Sequence, residues 1–170
     1  TLLGLGGSLG ARAVNQQMEK SLSTLLGQGW QIYWQCGKLY EEEYVAFTSD
    51  EVKVYAFIDD MATAYAASDA IVSRAGAGTL SELCLIGKAS VLIPSPNVAE
   101  DHQTHNARAL SEKGAAVLIP EIELDQRFNI ELEALYQNTK RRDRLGENIK
   151  KLALPNATQD ICTLINELTA

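Results

Sequence analysis

Short apolar runs alternate with amphipathic stretches along the chain, and this alternation predicts its elements. Residues 2–5 form an apolar run that reads as a strand, and Gly6-Gly7-Ser8-Leu9-Gly10 makes the turn after it. Over 11–26, Ala13, Val14, Met18 and Leu22 share one helical face, closed by Gly27 and Gly29. A second strand is expected at 30–35, then a helix over 37–47 with Glu41, Glu42 and Glu43 on its solvated face. Residues 52–57 predict a third strand, ending in Ile58-Asp59-Asp60-Met61 before a short alanine-rich helix. The run 69–73 is the fourth strand. It passes through the turn Arg74-Ala75-Gly76-Ala77-Gly78 into a helix carrying Leu80, Leu83, Cys84 and Ile86. Residues 89–93 make a fifth strand, halted by Pro94 and Pro96. A loop over 95–100, a helix over 101–113 ended by Gly114, and a sixth strand at 115–119 follow. From 128 to 168 the pattern is helical, with Pro155 as the one interior break. Strands alternating with helices predict an α/β fold, a parallel sheet with helices on both faces. No repeat, low-complexity tract or linker interrupts it, so residues 1–170 are expected to form a single domain.

Composition narrows the class. With 170 residues, 46% of them hydrophobic, the chain can bury a good globular core. It opens on Thr1 and runs straight into a strand, as a piece cut at a domain boundary would. The net charge of −7 argues against nucleic acid as the main partner. No apolar run approaches the ~20 residues that span a bilayer, and no signal peptide is expected. Cys36, Cys84 and Cys162 are odd in number, far apart and in apolar contexts. They are expected to be buried free thiols in a reducing cytoplasm, not disulfides or a metal site.

The candidate chemistry gathers at the carboxyl ends of strands, where ligands bind in such sheets. The turn from Gly6 to Gly10 lacks the G-x-G-x-x-G spacing, and Gln35 and Cys36 stand where a ribose-binding acid would close a second strand. It also lacks a P-loop lysine. What remains is a glycine turn at a helix start that can wrap a phosphate, with Ser8 as a hydroxyl donor, or simply a tight strand–helix turn. Around the second glycine turn, Thr79 and Glu82 have the spacing of a capping box, or else the turn faces an anion or polar oxygens. Arg74 either pairs with a buried acid or faces the ligand. Asp59 and Asp60 are read as helix caps in preference to a metal pair. His102 and His105 share a helical face without a third ligand, and Lys140-Arg141-Arg142 reads as a solvated helix face. The glycine turns, Phe57-Ile58 and the polar start at 101–106 lie on one rim, which suits a long, partly anionic ligand such as a nucleotide diphosphate joined to something else.

Four motifs then resemble, in order and spacing, those of the MurG family of N-acetylglucosaminyltransferases, which complete lipid II in peptidoglycan synthesis. They are Gly6-Gly7-Ser8-Leu9-Gly10-Ala11-Arg12, Phe57-Ile58-Asp59-Asp60-Met61, Arg74-Ala75-Gly76-Ala77-Gly78-Thr79-Leu80-Ser81-Glu82 and Asp101-His102-Gln103-Thr104-His105-Asn106-Ala107. The resemblance runs from Gly4 to about Ile119. It departs at Ala75 and Gly78, where family members often carry serine or cysteine neighbours and a leucine. It implies a Rossmann-like sheet, the C-terminal, donor-binding half of a two-domain GT-B glycosyltransferase. By similarity, Gly6, Gly7 and Ser8 would hold the diphosphate of UDP-N-acetylglucosamine. Phe57, Ile58 (through its backbone) and Met61 would line the uracil pocket, and Glu82 would accept from the ribose hydroxyls. The Ala77 backbone and Gln103 would meet the sugar, with His102 adjacent, and Arg74 and Thr79 would complete the site. The acceptor, lipid I, and the general base would belong to an N-terminal domain that nothing in these residues matches.

The same resemblance implies inverting transfer with no cofactor and no metal. It also implies a cytoplasmic enzyme peripheral on the inner face of the bacterial membrane, with roles in cell division and cell shape. Two alternatives are another GT-B transferase or a UDP-sugar epimerase, which would need acid–base carboxylates not evident near Gln103 or His102. A third is a non-catalytic nucleotide-binding module, which would not discriminate uridine from other nucleosides.

Overall fold

The axis of the fold is β1 (Leu2–Leu5), which pairs in parallel with β2 (Ile32–Gln35) on one edge and β4 (Ala70–Ser73) on the other. The computed structural model describes residues 1–97 and 101–169. With β3 (Val52–Tyr55), β5 (Ala89–Leu92) and β6 (Val117–Leu118), the six strands form one parallel sheet in the order β3-β2-β1-β4-β5-β6. Most of these strands are covered on both faces, which is why they read as continuous apolar runs. Alternate side chains feed two cores. Leu2 joins Val14, Met18, Trp34 and Phe128 on one face, while Leu3 and Leu5 join Tyr65, Ile71, Leu83 and Ile149 on the other.

The first face is covered by α1 (Arg12–Gln28) and α6 (Leu124–Gln137). They run side by side in the same direction: Lys20 meets Asp125 at 2.5 Å, and further along the Trp30 and Tyr136 rings meet edge to face at 5.0 Å. The second face carries α3 (Met61–Ala67), α4 (Ala77–Ile86) and α5 (His102–Ser111).

Several expectations are corrected. The helix over 37–47 is instead a 3₁₀ turn at Lys38–Tyr40, a four-residue α2 (Glu41–Tyr44) and a second 3₁₀ turn at Val45–Phe47. Its path is set by seating Tyr44 and Phe47 against Trp34, with ring centroids 4.9 and 6.4 Å away, not by a helical stripe. The helix expected over 101–113 ends at Ser111, and the last strand keeps only two residues of 115–119. Within the loop expected at 95–100, residues 98–100 lie outside the described residues.

The helical tail starts earlier than 128, with a 3₁₀ turn at Glu121–Glu123 leading into α6. It also breaks at Asn138 as well as near Pro155. Asn138 accepts a hydrogen bond from the Arg141 N–H at 2.9 Å and caps α7 (Thr139–Lys150). The basic run that follows is not simply a solvated face. Arg141 pairs with Glu131 at 2.6 Å, and Arg142 donates to the carbonyls of Leu135 and Tyr136, which the end of α6 leaves without helical partners. In α8 (Ala157–Thr169), Ile161, Leu164, Ile165 and Leu168 are exposed; so is Cys162, whereas Cys36 and Cys84 are buried as expected.

Where α7 crosses the turn after α4, Gly146 permits contact of the two backbones: a Cβ there would sit 2.4 Å from the Gly87 carbonyl oxygen. Gly27 in α1 faces open space. Both are helical, so propensity alone favours alanine at each by about 0.5–1 kcal/mol. Gly27→Ala is therefore expected to raise the unfolding free energy by about that amount. Gly146→Ala is expected to lower it by roughly 1–3 kcal/mol, the usual penalty of overpacking. Equilibrium urea denaturation of the two variants checks the opposite signs.

Candidate functional site

Because β1 leads to α1 on one face of the sheet and β4 leads to α4 on the other, their loops diverge and leave a crevice at the carboxyl ends. A cavity of about 230 Å³ lies there, lined by Leu5, Gly7, Gln35, Phe57, Met61, Tyr65, Ser73, Arg74, Thr79 and Glu82. A larger concavity of about 450 Å³ is formed by Pro94, Pro96, Thr104, Pro120, Glu121 and Ile122. Its one carboxylate, Glu121, is already paired, whereas the smaller cavity brings together Gln35, Tyr65, Arg74, Thr79 and Glu82 and is the candidate site.

The floor is built from backbone. Gly7 takes φ +80, a left-handed conformation that glycine alone adopts freely, and so turns the chain from β1 toward α1. Gly6 is buried beneath it and donates its N–H to the Gln35 carbonyl at 3.0 Å. Ser8 stands exposed at the tip. On the far wall α4 begins at Ala77, with Gly76 as N-cap and no side-chain cap. The capping box proposed for Thr79 and Glu82 therefore does not form. Thr79 lies inside the first turn, where N–H groups have no helical acceptor and face outward as donors.

Glu82 has another partner. The Tyr65 hydroxyl, on α3, donates to Glu82 Oε2 at 2.9 Å. Burial first, then the hydrogen bond and the carboxylate charge, push the Tyr65 phenol above its ordinary range, so it stays protonated and remains the donor. One carboxylate oxygen is thus held while the other is left for a ligand.

Phe57 is 43% exposed and presents its ring to the cavity beside Met61. Ile58 is buried; its N–H donates to Gln35 Oε1 at 2.8 Å, so its carbonyl is the backbone group left to meet a ligand. Asp60 caps α3, accepting from the Thr63 N–H at 3.0 Å, as the sequence suggested. The Thr63 hydroxyl first, then that N–H, hold its carboxyl below the usual range.

Arg74 pairs with an acid and lines the cavity at once. Its guanidinium meets Glu121 at 2.5 Å and the Ile93 carbonyl at 3.1 Å. Gln103 and His102 open α5, outside the 230 Å³ cavity, as are Gly6, Ser8, Ile58 and Ala77. Gln103 Oε1 accepts from the Ser95 N–H at 3.0 Å and the Ala75 N–H at 3.4 Å, tying the loop after β5 to the turn after β4. Its amide nitrogen remains for a ligand. Among the described residues, no group of three or more His, Cys, Asp or Glu side chains could hold a metal ion.

Three residues that shape the site carried no assigned role in the sequence reading: Tyr65, Gln35 and Asn106, which donates to the Ala75 carbonyl at 3.1 Å. Tyr65 sits four residues beyond Met61, one helical turn along the same face, which was the available signal. Gln35 and Asn106 bind backbone, and no side-chain pattern reveals that.

Residues 1–161 match the glycosyltransferase family 28 C-terminal domain. The UDP-N-acetylglucosamine--N-acetylmuramyl-(pentapeptide) pyrophosphoryl-undecaprenol N-acetylglucosamine transferase of Flavobacterium psychrophilum is 51% identical over 169 residues, covering 99% of this chain and 46% of that protein. The transferase of the same name from Bacteroides thetaiotaomicron is 44% identical over 175 residues, covering 99% of this chain and 47% of that protein. The chain thus spans about half the length of these relatives. The crystal structure of Acinetobacter baumannii MurG superposes with a TM-score of 0.84 at 33% identity, over 98% of this chain and 49% of the other. A glycotransferase of kitacinnamycin, at 19% identity and a TM-score of 0.67 over 89% of this chain and 37% of its own, shares the fold.

The Gln103 tie yields a test. Gln103→Met removes the acceptor from two part-buried backbone N–H groups and is expected to lower the unfolding free energy by about 1–3 kcal/mol. Gln103→Glu keeps the acceptor and should stay close to the native value. Urea denaturation of both variants, without ligand, measures the difference.

Proposed function

The chain belongs to the glycosyltransferase family 28 C-terminal domain family, and on that premise we propose that it is the donor-binding half of an N-acetylglucosaminyltransferase. The enzyme would move N-acetylglucosamine from UDP-N-acetylglucosamine to undecaprenyl-diphospho-muramoyl-pentapeptide, converting lipid I to lipid II in peptidoglycan synthesis. The observation that carries this reading is the Glu82 carboxylate, held by Tyr65 across the cavity from Phe57 and the glycine turn.

In this reading uracil lies against Phe57 and Met61, with its N3–H directed to the Ile58 carbonyl. The free oxygen of Glu82 accepts from the ribose hydroxyls. The diphosphate rests on Gly6, Gly7 and Ser8, facing the unpaired N–H groups of Ala77 and Thr79 at the start of α4, where the helix dipole favours negative charge. The sugar extends toward the amide of Gln103, with His102 adjacent. The muramoyl 4-hydroxyl attacks the anomeric carbon from the opposite face while the bond to the diphosphate oxygen breaks. The electron pair leaves on UDP, and the hydroxyl proton passes to a base outside this chain. Backbone donors fixed before the reaction offset the charge on the departing diphosphate.

The acceptor's undecaprenyl chain would place the whole enzyme on the inner face of the bacterial membrane, and its product would link it to cell shape and division. Among the described residues no helix is long and apolar enough to cross a membrane.

Two measurements test the reading. Glu82→Gln keeps an acceptor for Tyr65 and no cap is at stake, so its melting temperature should stay nearly native. Losing a charged acceptor for a sugar hydroxyl removes roughly 1.5–3 kcal/mol, so calorimetry should show UDP bound about ten- to a hundredfold more weakly. Normal UDP affinity in this variant would remove Glu82 from the site. Separately, the native chain should bind UDP equally well with and without a chelator, because backbone donors carry the diphosphate. Loss of binding on chelation would show that a divalent ion does.

A further inference from the structure

We propose that Lys38 is the countercharge for the diphosphate of a nucleoside diphosphate ligand, moving onto it from a resting place over Phe57. The inference rests on the donor-site reading above and adds to it a residue from the loop after β2.

That loop is pressed against the glycine turn. Gly37 takes φ +90, and a Cβ there would lie 2.0 Å from the Gly10 nitrogen and 2.5 Å from the Leu9 carbonyl carbon. In return, a Cβ on Gly10 would lie 2.3 Å from the Cys36 carbonyl oxygen. The two backbones touch, and the next residue, Lys38, donates its N–H to the Ser8 carbonyl at 3.2 Å. Lys38 is therefore fixed at its backbone beside the turn assigned to the diphosphate.

Its side chain is exposed and makes no ion pair among the described residues. The ammonium lies 5.8 Å from the centroid of the Phe57 ring, over a cavity wall and not on a carboxylate. A cation over an exposed aromatic face is weakly held and readily given up to an anion. The flexible lysine stem suits such a transfer.

The surrounding charges favour a cation beside the backbone donors. The cavity contributes the carboxylate of Glu82, and Asp59 and Asp60 follow Phe57 and Ile58 in a chain of net charge −7. Arg74 is already neutralised by Glu121. A diphosphate entering this field meets repulsion that neutral N–H donors reduce without cancelling. Lys38 supplies the opposing charge from the open side of the turn.

The test is calorimetric titration of the chain and three variants with UDP and with uridine. The native chain should bind UDP more tightly than uridine; equal binding would overturn the diphosphate reading itself, and this proposal with it. Lys38→Met keeps the stem and loses the charge. It should weaken UDP about tenfold, leave uridine within twofold, and flatten the salt dependence of UDP binding, with an unchanged melting temperature. Lys38→Arg should retain most of the UDP affinity. The assignment is overturned if Lys38→Met binds UDP as the native chain does, or loses UDP and uridine alike. It is also overturned if Arg12→Gln, at the start of α1, removes the preference for UDP while Lys38→Met keeps it.

Discussion

The position of β1 is the constraint on which the rest depends. It is hydrogen-bonded to parallel strands on both edges, so the carboxyl ends of β2, β1 and β4 come level on one rim. The ladder continues past the strand ends. Gly6 N–H bonds the Gln35 carbonyl, Ile93 N–H bonds Ser73 and Ile119 N–H bonds Leu92, so the loops leave the sheet with their backbones still tied. Ligand-facing groups are thereby placed by the sheet, and the side chains have little distance left to cover.

What the ladder does not tie, neutral amides do. Gln35 joins the end of β2 to Ile58, Gln103 joins the two loops after β4 and β5, and Asn106 holds Ala75 from the other side. Asn15 does the same beneath the site, accepting from Trp34 Nε1 and donating to the Cys36 carbonyl at 2.7 Å. An amide both donates and accepts, so it can satisfy buried backbone groups without adding charge. That matters next to the proposed diphosphate site in an acidic domain, where another carboxylate would repel the ligand. Arg74, a cation lining the cavity, is spent on joining the end of β4 to the segment after β6 through Glu121.

The strands were legible because strands covered on both faces must be continuously apolar, as Ala70-Ile71-Val72 is. The glycine turn after β1 was legible because left-handed residues at the end of a strand, here Gly7 and Gly10, call for glycine. Less was visible where a tertiary contact overrides the local pattern. Residues 38–47 carry helix-compatible composition, yet the aromatic seat on Trp34 breaks the helix. The break at Asn138 hides because no glycine or proline marks it within a long helical pattern, and only its bond to Arg141 shows it acting as a cap. Arg141 and Arg142 read as solvated residues because their partners lie on the preceding helix, which the sequence pattern does not separate from theirs. At the site itself, Glu82 had the spacing of a capping partner, and only the start of α4 at Ala77 decides otherwise.

That early start has a chemical consequence. Were Thr79 the cap, Glu82 would lie in the first turn, folded back on the backbone N–H groups that a ligand would need. With Gly76 as the cap, the first-turn donors stay open and Glu82 falls in the second turn, beside Thr79 on the cavity side, while Leu80 and Leu83 face the core. At 1.5 Å per residue, Ala77 and Glu82 are separated by about 7.5 Å along the helix axis. One short helix therefore offers hydrogen-bond donors at its tip and a hydrogen-bond acceptor about a turn and a half deeper. In the proposed reading, the ligand that complements it is anionic at one end and hydroxyl-rich a few ångströms away. A ribose joined to a diphosphate has that order of groups, and a simple phosphate or a free sugar would leave one end of the helix unmatched.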